Sequence, residues 1–179
     1  MSETKKRPNE YIMCVVVLAA ICLVIAFALA LVNDVTLPVI TSAANERAEQ
    51  ARIEVMPDAD GFEEIQLEGI PSTVTQVFKA TNGAGYVFML KTKGYGGDME
   101  LICGINSNGI ITQTKTLEHS ETAGLGAKTA ENNYRFQYKG KDSTLSGVDS
   151  ITGATVSSKA YKGAIQDAFA AYAIAKEAE

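Results

Sequence analysis

Met99-Glu100-Leu101-Ile102-Cys103-Gly104-Ile105-Asn106, Ser107-Asn108-Gly109, Ile110-Ile111-Thr112-Gln113-Thr114-Lys115-Thr116-Leu117: two apolar or β-branched runs flank a three-residue turn. The Asn-Gly pair supplies the positive backbone angles of a tight hairpin, so the two runs read as antiparallel strands. In the second run Ile111, Gln113, Lys115 and Leu117 alternate with Thr112, Thr114 and Thr116, which predicts two distinct faces. Upstream, Thr73–Ala80 and Gly85–Lys93 carry the same strand-like composition, with Gly83-Ala84-Gly85 between them as a turn. Gly94-Tyr95-Gly96-Gly97-Asp98 then closes the loop into the hairpin. Downstream, Lys159 to about Lys176 places Ala160, Tyr161, Ala164, Ile165, Ala168, Phe169 and Tyr172 on one stripe at helical period. The outer region therefore reads as α+β: a small antiparallel sheet of about four strands with helices packed on it.

The N-terminal part obeys different rules. Ile12 to Val32 is 21 residues without a charge. At about 1.5 Å per residue such a helix spans a bilayer core of ~30 Å. Lys5, Lys6 and Arg7 precede it and Asp34 is the first charge after it, so the positive-inside rule leaves the N-terminus in the cytoplasm. Ala28-Leu29-Ala30 offers a small-x-small cleavage pattern, but the apolar run continues through Leu31 and Val32, which favours a retained anchor. Thr41 to Val55 is rich in helix formers, Pro57-Asp58-Ala59-Asp60-Gly61 stops it, and Pro38 reads as a kink or junction. The expected organisation is a cytoplasmic tail at 1–11, a transmembrane anchor at 12–32, a linker helix at 33–60 and an extracytoplasmic domain at 61–179.

Composition removes several functional classes. The net charge is −5 and no dense basic patch occurs, which argues against nucleic acid as a partner. Three cysteines (Cys14, Cys22 and Cys103), two of them in the apolar segment, give no disulfide framework and no metal-ligand spacing. With a single histidine, His119, a metal site would gain at most Glu121 as a second ligand. Ser120 adjoins that histidine in sequence, and no nucleophile elbow is present, so serine hydrolase chemistry is disfavoured.

Three loops remain: Gly94–Gly97, His119–Gly126 and Asp149–Ser158. The first lacks the strand–GxGxxG–helix context of a dinucleotide fold; its glycines would permit close backbone approach beside Tyr95 as a flat wall. The third, Asp149-Ser150-Ile151-Thr152-Gly153-Ala154-Thr155-Val156-Ser157-Ser158, opens the C-terminal helix. It reads either as an N-cap, the commoner use of such residues, or as a seat for a phosphate on free helix amides. Together the loops offer hydroxyls, amides and an aromatic, but no evident acid, base or metal. That inventory suits holding a cofactor that brings its own chemistry.

These stretches carry a family resemblance. Asp149 to Thr155 resembles the target of the bacterial flavin transferase, Asp-x-x-(Ser/Thr)-Gly-Ala-Thr, in which FMN is joined through its phosphate to the last threonine, here Thr155. His119 to Gly126 resembles the same family's His-x-Glu-Thr-Pro-Gly-Leu-Gly loop, with Ala123 in place of proline, and Gly94 to Gly97 matches its Gly-Tyr-x-Gly loop. Anchor, linker and the three motifs in this order are similar to the G subunits of Rnf electron-transport complexes over nearly the whole chain. The resemblance implies a single-anchor flavoprotein of the bacterial cell membrane. It would relay electrons within a complex that couples electron flow between ferredoxin and NAD to sodium or proton movement, and it would not act alone. It implies covalent FMN on Thr155. Thr152 would orient the loop; Gly153, Ala154, Ser157 and Ser158 would bind the phosphate; Tyr95, Glu121, Thr122 and Leu125 would line the ring; Gly124 and Gly126 would also belong to the cofactor site. Lys128 is a further candidate contact, with a solvated surface role preferred. Implied partners are the other membrane and peripheral subunits, and the flavin transferase during maturation. The related C subunit of sodium-pumping NADH:quinone reductase shares the domain but is usually a longer protein; it is the alternative with the same chemistry. A non-redox anchored scaffold, with the Thr155 stretch as a mere helix cap, is the alternative of a different class.

Overall fold

The computed structural model describes residues 8–178. Lys5, Lys6 and Arg7, which set the expected orientation of the anchor, lie outside the described residues. The chain separates into two compact units that divide between Glu46 and Arg47.

The first unit is helical. α1 runs Pro8–Val55, and its apolar side chains from Tyr11 to Ile40 are exposed, as suits a lipid-facing helix. Among the described residues it is the one helix long and apolar enough to cross a membrane. α1 continues through Pro38, so no junction interrupts it there. Proline removes one ladder hydrogen bond, and one lost bond in 48 residues does not end a helix whose flanks keep their own bonds. Around it Thr41 Oγ1 donates to the carbonyls of Leu37 and Pro38, and Ser42 Oγ to that of Val39.

The second unit contains the sheet. Five antiparallel strands follow in chain order: β1 (Phe62–Ile65), β2 (Val74–Ala80), β3 (Gly85–Lys93), β4 (Asp98–Asn106) and β5 (Ile111–His119). The expectation of four strands missed β1, a four-residue edge strand. The β4–β5 hairpin turns at Asn108-Gly109 with Gly109 at φ +75°, and the Asn106 side chain accepts from the amides of Asn108 and Ile110.

One face expectation fails. Ile111 does not share a face with Gln113, Lys115 and Leu117. Ile105 pairs with Ile111 while Gly104 pairs with Gln113, so Thr112 is an extra residue in the strand. A bulge of this kind flips the alternation. Ile111 thus joins the larger core with Leu101, Cys103 and Ile105, while Leu117 packs with Val87 and Ile102 on the other face. Thr112 is also parted from Thr114: its hydroxyl donates to the carbonyl of Val55.

Each face has a helical cover. On one lies α3 (Thr155–Glu177), whose stripe of Tyr161, Ala164, Ile165, Ala168 and Phe169 is buried against Phe88, Leu90, Leu101 and Ile105. On the other, Ala51 and Val55 at the end of α1 meet Phe78, Ala80, Val87 and Ile102. Glu54 of the same turn pairs with Lys115 and Arg135, and Arg52 stacks 4.3 Å above the Phe78 ring. Two 3₁₀ turns (Gly126–Ala130 and Phe136–Tyr138) and the short α2 (Asn132–Arg135) lead from β5 toward α3.

Three tyrosines fasten the start of α3. Tyr134, Tyr138 and Tyr161 pack together with ring centroids 5.1–5.7 Å apart, Tyr134 edge-on to the other two. Their hydroxyls are satisfied: Tyr134 pairs with Tyr138 at 3.0 Å and donates to the Ser158 carbonyl at 3.2 Å, and Tyr161 donates to Thr114 at 2.9 Å. Buried aromatics with partnered hydroxyls give α3 a fixed seat on the sheet.

Candidate functional site

The β3–β4 loop, the segment after β5 and the first turn of α3 converge on one cavity of about 440 Å³. Tyr95, Glu121, Thr122, Leu125, Gly126, Gly153, Ala154, Thr155, Val156 and Ser157 line it. Residues as distant in sequence as Tyr95 and Thr155 thus meet at one end of the sheet, because the meander returns each loop to that end. Of the candidate residues, Thr152, Gly124 and Ser158 do not line the cavity. Thr152 and Gly124 are exposed beside it. Ser158 is buried beneath it, where its Oγ accepts from the Ile151 amide at 3.0 Å and so fixes the loop before the helix. Lys128 is exposed and does not line the cavity.

Two materials make the walls. Tyr95, Leu125 and Val156 are apolar and stand in solvent at 77%, 47% and 54% exposure. Large apolar side chains this exposed around one opening mark a place for a ligand with apolar surface or a partner. Val156 is not among the residues that the sequence singled out. Its signal is present there: it is apolar yet out of phase with the buried stripe of its own helix.

The polar wall is the start of α3. Its N-cap is Ala154, which provides no side-chain hydrogen bond. The hydroxyl-rich stretch is therefore not an ordinary cap; alanine is among the poorest residues at that position. Thr155 is the first helical residue and is exposed, and Gly153 before it adopts φ +81°, which turns the chain into the helix. The amides of the first turn carry the positive end of the helix dipole.

Glu121 lies deeper, at 8% exposure. The Gly96 amide donates to its Oε1 at 3.2 Å and the Ser157 hydroxyl to its Oε2 at 2.7 Å. The Glu121 amide in turn donates to His119 Nδ1 at 3.3 Å, so His119 is a supporting residue for the loop and does not line the cavity. Thr122, next in sequence, accepts from the amides of Leu125 and Ala127 through its carbonyl and curls the segment at Ala123. Among the described residues no cluster of metal-ligating side chains occurs.

Residues 94–170, which contain all three loops, match the family described as FMN-binding domain. Over most of its length the chain is also similar to curated proteins. It is 30% identical to the G subunit of the Na⁺-translocating ferredoxin:NAD⁺ oxidoreductase complex of Acetobacterium woodii, over 87% of this chain and 88% of that protein. It is 31% identical to the G subunit of the ion-translocating oxidoreductase complex of Methanosarcina acetivorans, over 94% and 95%. The G subunit of the proton-translocating ferredoxin:NAD⁺ oxidoreductase complex of Clostridium ljungdahlii is 26% identical over 82% and 83%. Among solved structures, the C subunit of the Na⁺-translocating NADH-quinone reductase of Parabacteroides distasonis covers 55% of this chain and 59% of its own, with TM-score 0.47 and 22% identity. Matches that run through anchor, linker and loops at about this identity leave one assignment: the chain belongs to the family of G subunits of ion-translocating oxidoreductase complexes.

Proposed function

We propose that this chain is the flavin-carrying electron-relay subunit of a membrane-bound ferredoxin:NAD⁺ oxidoreductase that moves sodium ions or protons, with FMN joined through its phosphate to Thr155. The observation that carries the reading is the uncapped start of α3, with Thr155 as its first residue, opening on a cavity with an apolar rim. The residues present fit the group. A phosphoester at Thr155 would lie by free first-turn amides, where a negative charge is stabilised by roughly 0.3–1 kcal/mol. Tyr95, Leu125 and Val156 would cover an isoalloxazine ring, and Thr122 offers a hydroxyl at the cavity wall. FMN, when bound, supplies the capacity to accept and pass on electrons. The chain's own task is to hold it and keep it from diffusing away. A tether serves a domain outside the cytoplasm, where no free FMN pool replaces a lost cofactor. In this reading the N-terminus is cytoplasmic and the second unit lies outside. A flavin transferase makes the ester from a flavin dinucleotide: the Thr155 oxygen loses its proton and bonds to the FMN phosphorus as the pyrophosphate bond breaks and a nucleoside monophosphate leaves. The other subunits of the complex supply and take the electrons. The subunit would therefore show no turnover by itself.

The scaffold alternative requires the Thr155 stretch to be a cap, and Ala154 at the N-cap speaks against it. Co-expression of the full chain with a flavin transferase, followed by denaturing gel fluorescence and intact mass, tests the tether. The expected result is one FMN phosphoryl adduct on the wild type and none on Thr155→Val, which keeps the shape and loses the hydroxyl. A colourless, unmodified wild type overturns the proposal.

A further inference from the structure

Three glycines in the motif loops serve Glu121. A Cβ built on Gly94 would fall on Glu121 Oε1, and one on Gly126 would fall on Oε2. A Cβ on Gly96 would run into the backbone of Ser120 and Glu121. Glycine in such loops is ordinarily explained by close approach of a ligand to backbone. Here the close approach is made by a side chain of the protein. The carboxylate occupies the space that Gly94 and Gly126 leave, while backbone of its own segment fills the space beside Gly96. Both of its oxygens accept: one from the Gly96 amide, the other from the Ser157 hydroxyl in the first turn of α3.

We infer that Glu121 is a positioning residue, a pin that locks the Gly94–Gly97 loop to the first turn of α3, so that the Tyr95 wall and the Thr155 anchor form one preassembled site. The inference rests on the flavin reading for what the site holds, but the pin itself is independent of any ligand. Without Glu121 the Gly96 amide and the Ser157 hydroxyl lose the acceptor they share, and with it the bridge between loop and helix. The Ser157 hydroxyl is fully buried, and leaving it without its acceptor is costly. The loop then relaxes, and a threonine displaced by even about 1 Å from its working position becomes a much poorer acceptor for group transfer.

Four variants of the full chain, co-expressed with a flavin transferase, separate this role from others. Glu121→Gln keeps the pin: its oxygen accepts from Gly96 and its amide donates to Ser157 Oγ, whose hydroxyl turns. Glu121→Ala removes it. Gly126→Ala expels an intact Glu121, and Thr155→Val reports on the tether. The expected result is covalent flavin lowered about tenfold or more in Glu121→Ala and Gly126→Ala. Glu121→Gln should remain near wild type, with an unshifted flavin absorption spectrum. Hydrogen exchange at the Gly96 amide, read on chains without flavin, should rise in Glu121→Ala and Gly126→Ala and stay low in Glu121→Gln, while the sheet amides of β4 remain protected in all.

Wild-type flavin loading and Gly96 protection in Glu121→Ala overturn the pin. So does a Glu121→Gln that fails as badly as Glu121→Ala with its sheet protected. A Glu121→Gln that keeps its flavin with a shifted spectrum assigns Glu121 to the ring itself and likewise overturns the proposal. A wild type that carries no flavin, or a Thr155→Val that keeps it, overturns the tether alone, and the exchange data still decide the pin.

Discussion

At the scale of single residues, space decides what a glycine is worth. Gly104 in β4 lies where the end of α1 meets the sheet. A Cβ there would approach the Val55 carbonyl to 2.7 Å and would also collide with the Thr112 hydroxyl. One of the two obstacles is backbone, which cannot turn aside, so Gly104→Ala should destabilise the second unit by about 1–3 kcal/mol. Gly163 in α3 has nothing within 4 Å of its would-be Cβ. Gly163→Ala should stabilise by about 0.5–1 kcal/mol, because glycine gives up more backbone entropy in a helix than alanine does. Thermal unfolding of the two variants against the parent chain checks the pair; shifts of the same sign would contradict it. At this scale the sequence was half legible. Thr155, Tyr95 and Leu125 could be singled out because each belongs to a local pattern. The partner of Glu121 could not, since Ser157 is 36 positions away and a hydrogen bond between two short motifs leaves no trace in either.

Among the elements, the hairpin and α3 were legible because turn chemistry and helical period are written into contiguous residues. β1 was not. Phe62-Glu63-Glu64-Ile65 is short, carries two adjacent glutamates and pairs only with β2. The bulge at Thr112 was equally hidden, since an extra residue in one strand is defined by the partner strand. Elements are joined here by charge as well as packing. Glu54 at the end of α1 receives Lys115 from β5 and Arg135 from α2, with Gln113 donating at 3.4 Å. The Arg135 side chain is 11% exposed, whereas Glu54 retains 37%. The pair lies between the surface regime, worth less than about 1 kcal/mol, and the buried one, where loss of a partner costs about 3–5. Glu54→Ala should therefore destabilise the second unit by about 1–2 kcal/mol. The deficit should narrow as salt is raised, because salt weakens the parent's half-exposed pair and has none to weaken in the variant. Denaturant titration at low and high ionic strength measures it; an unchanged midpoint at low salt would dismiss the clamp.

For the whole molecule, the anchor was legible from length and lack of charge alone, and α+β class from the succession of strand runs before a helical stripe. The division of the chain between Glu46 and Arg47 was not, because helix propensity is continuous across it and only tertiary contact marks where the second unit begins. The proposed orientation makes a direct prediction. Protease added to intact spheroplasts should remove the second unit while leaving the N-terminus protected, and the reverse pattern would show the chain to be inserted the other way. The cysteines add a consequence for biogenesis. Cys14 and Cys22 lie on α1, and Cys103, in the middle of the sheet, is fully buried, where loss of solvent pushes its thiol well above the ordinary range. A thiolate is the species that enters disulfide exchange. In the proposed orientation, the folded second unit would offer an oxidising compartment no reactive sulfur and its maturation would call for neither an oxidase nor an isomerase; only a chain trapped before the sheet closes over Cys103 would be captured as a mixed disulfide.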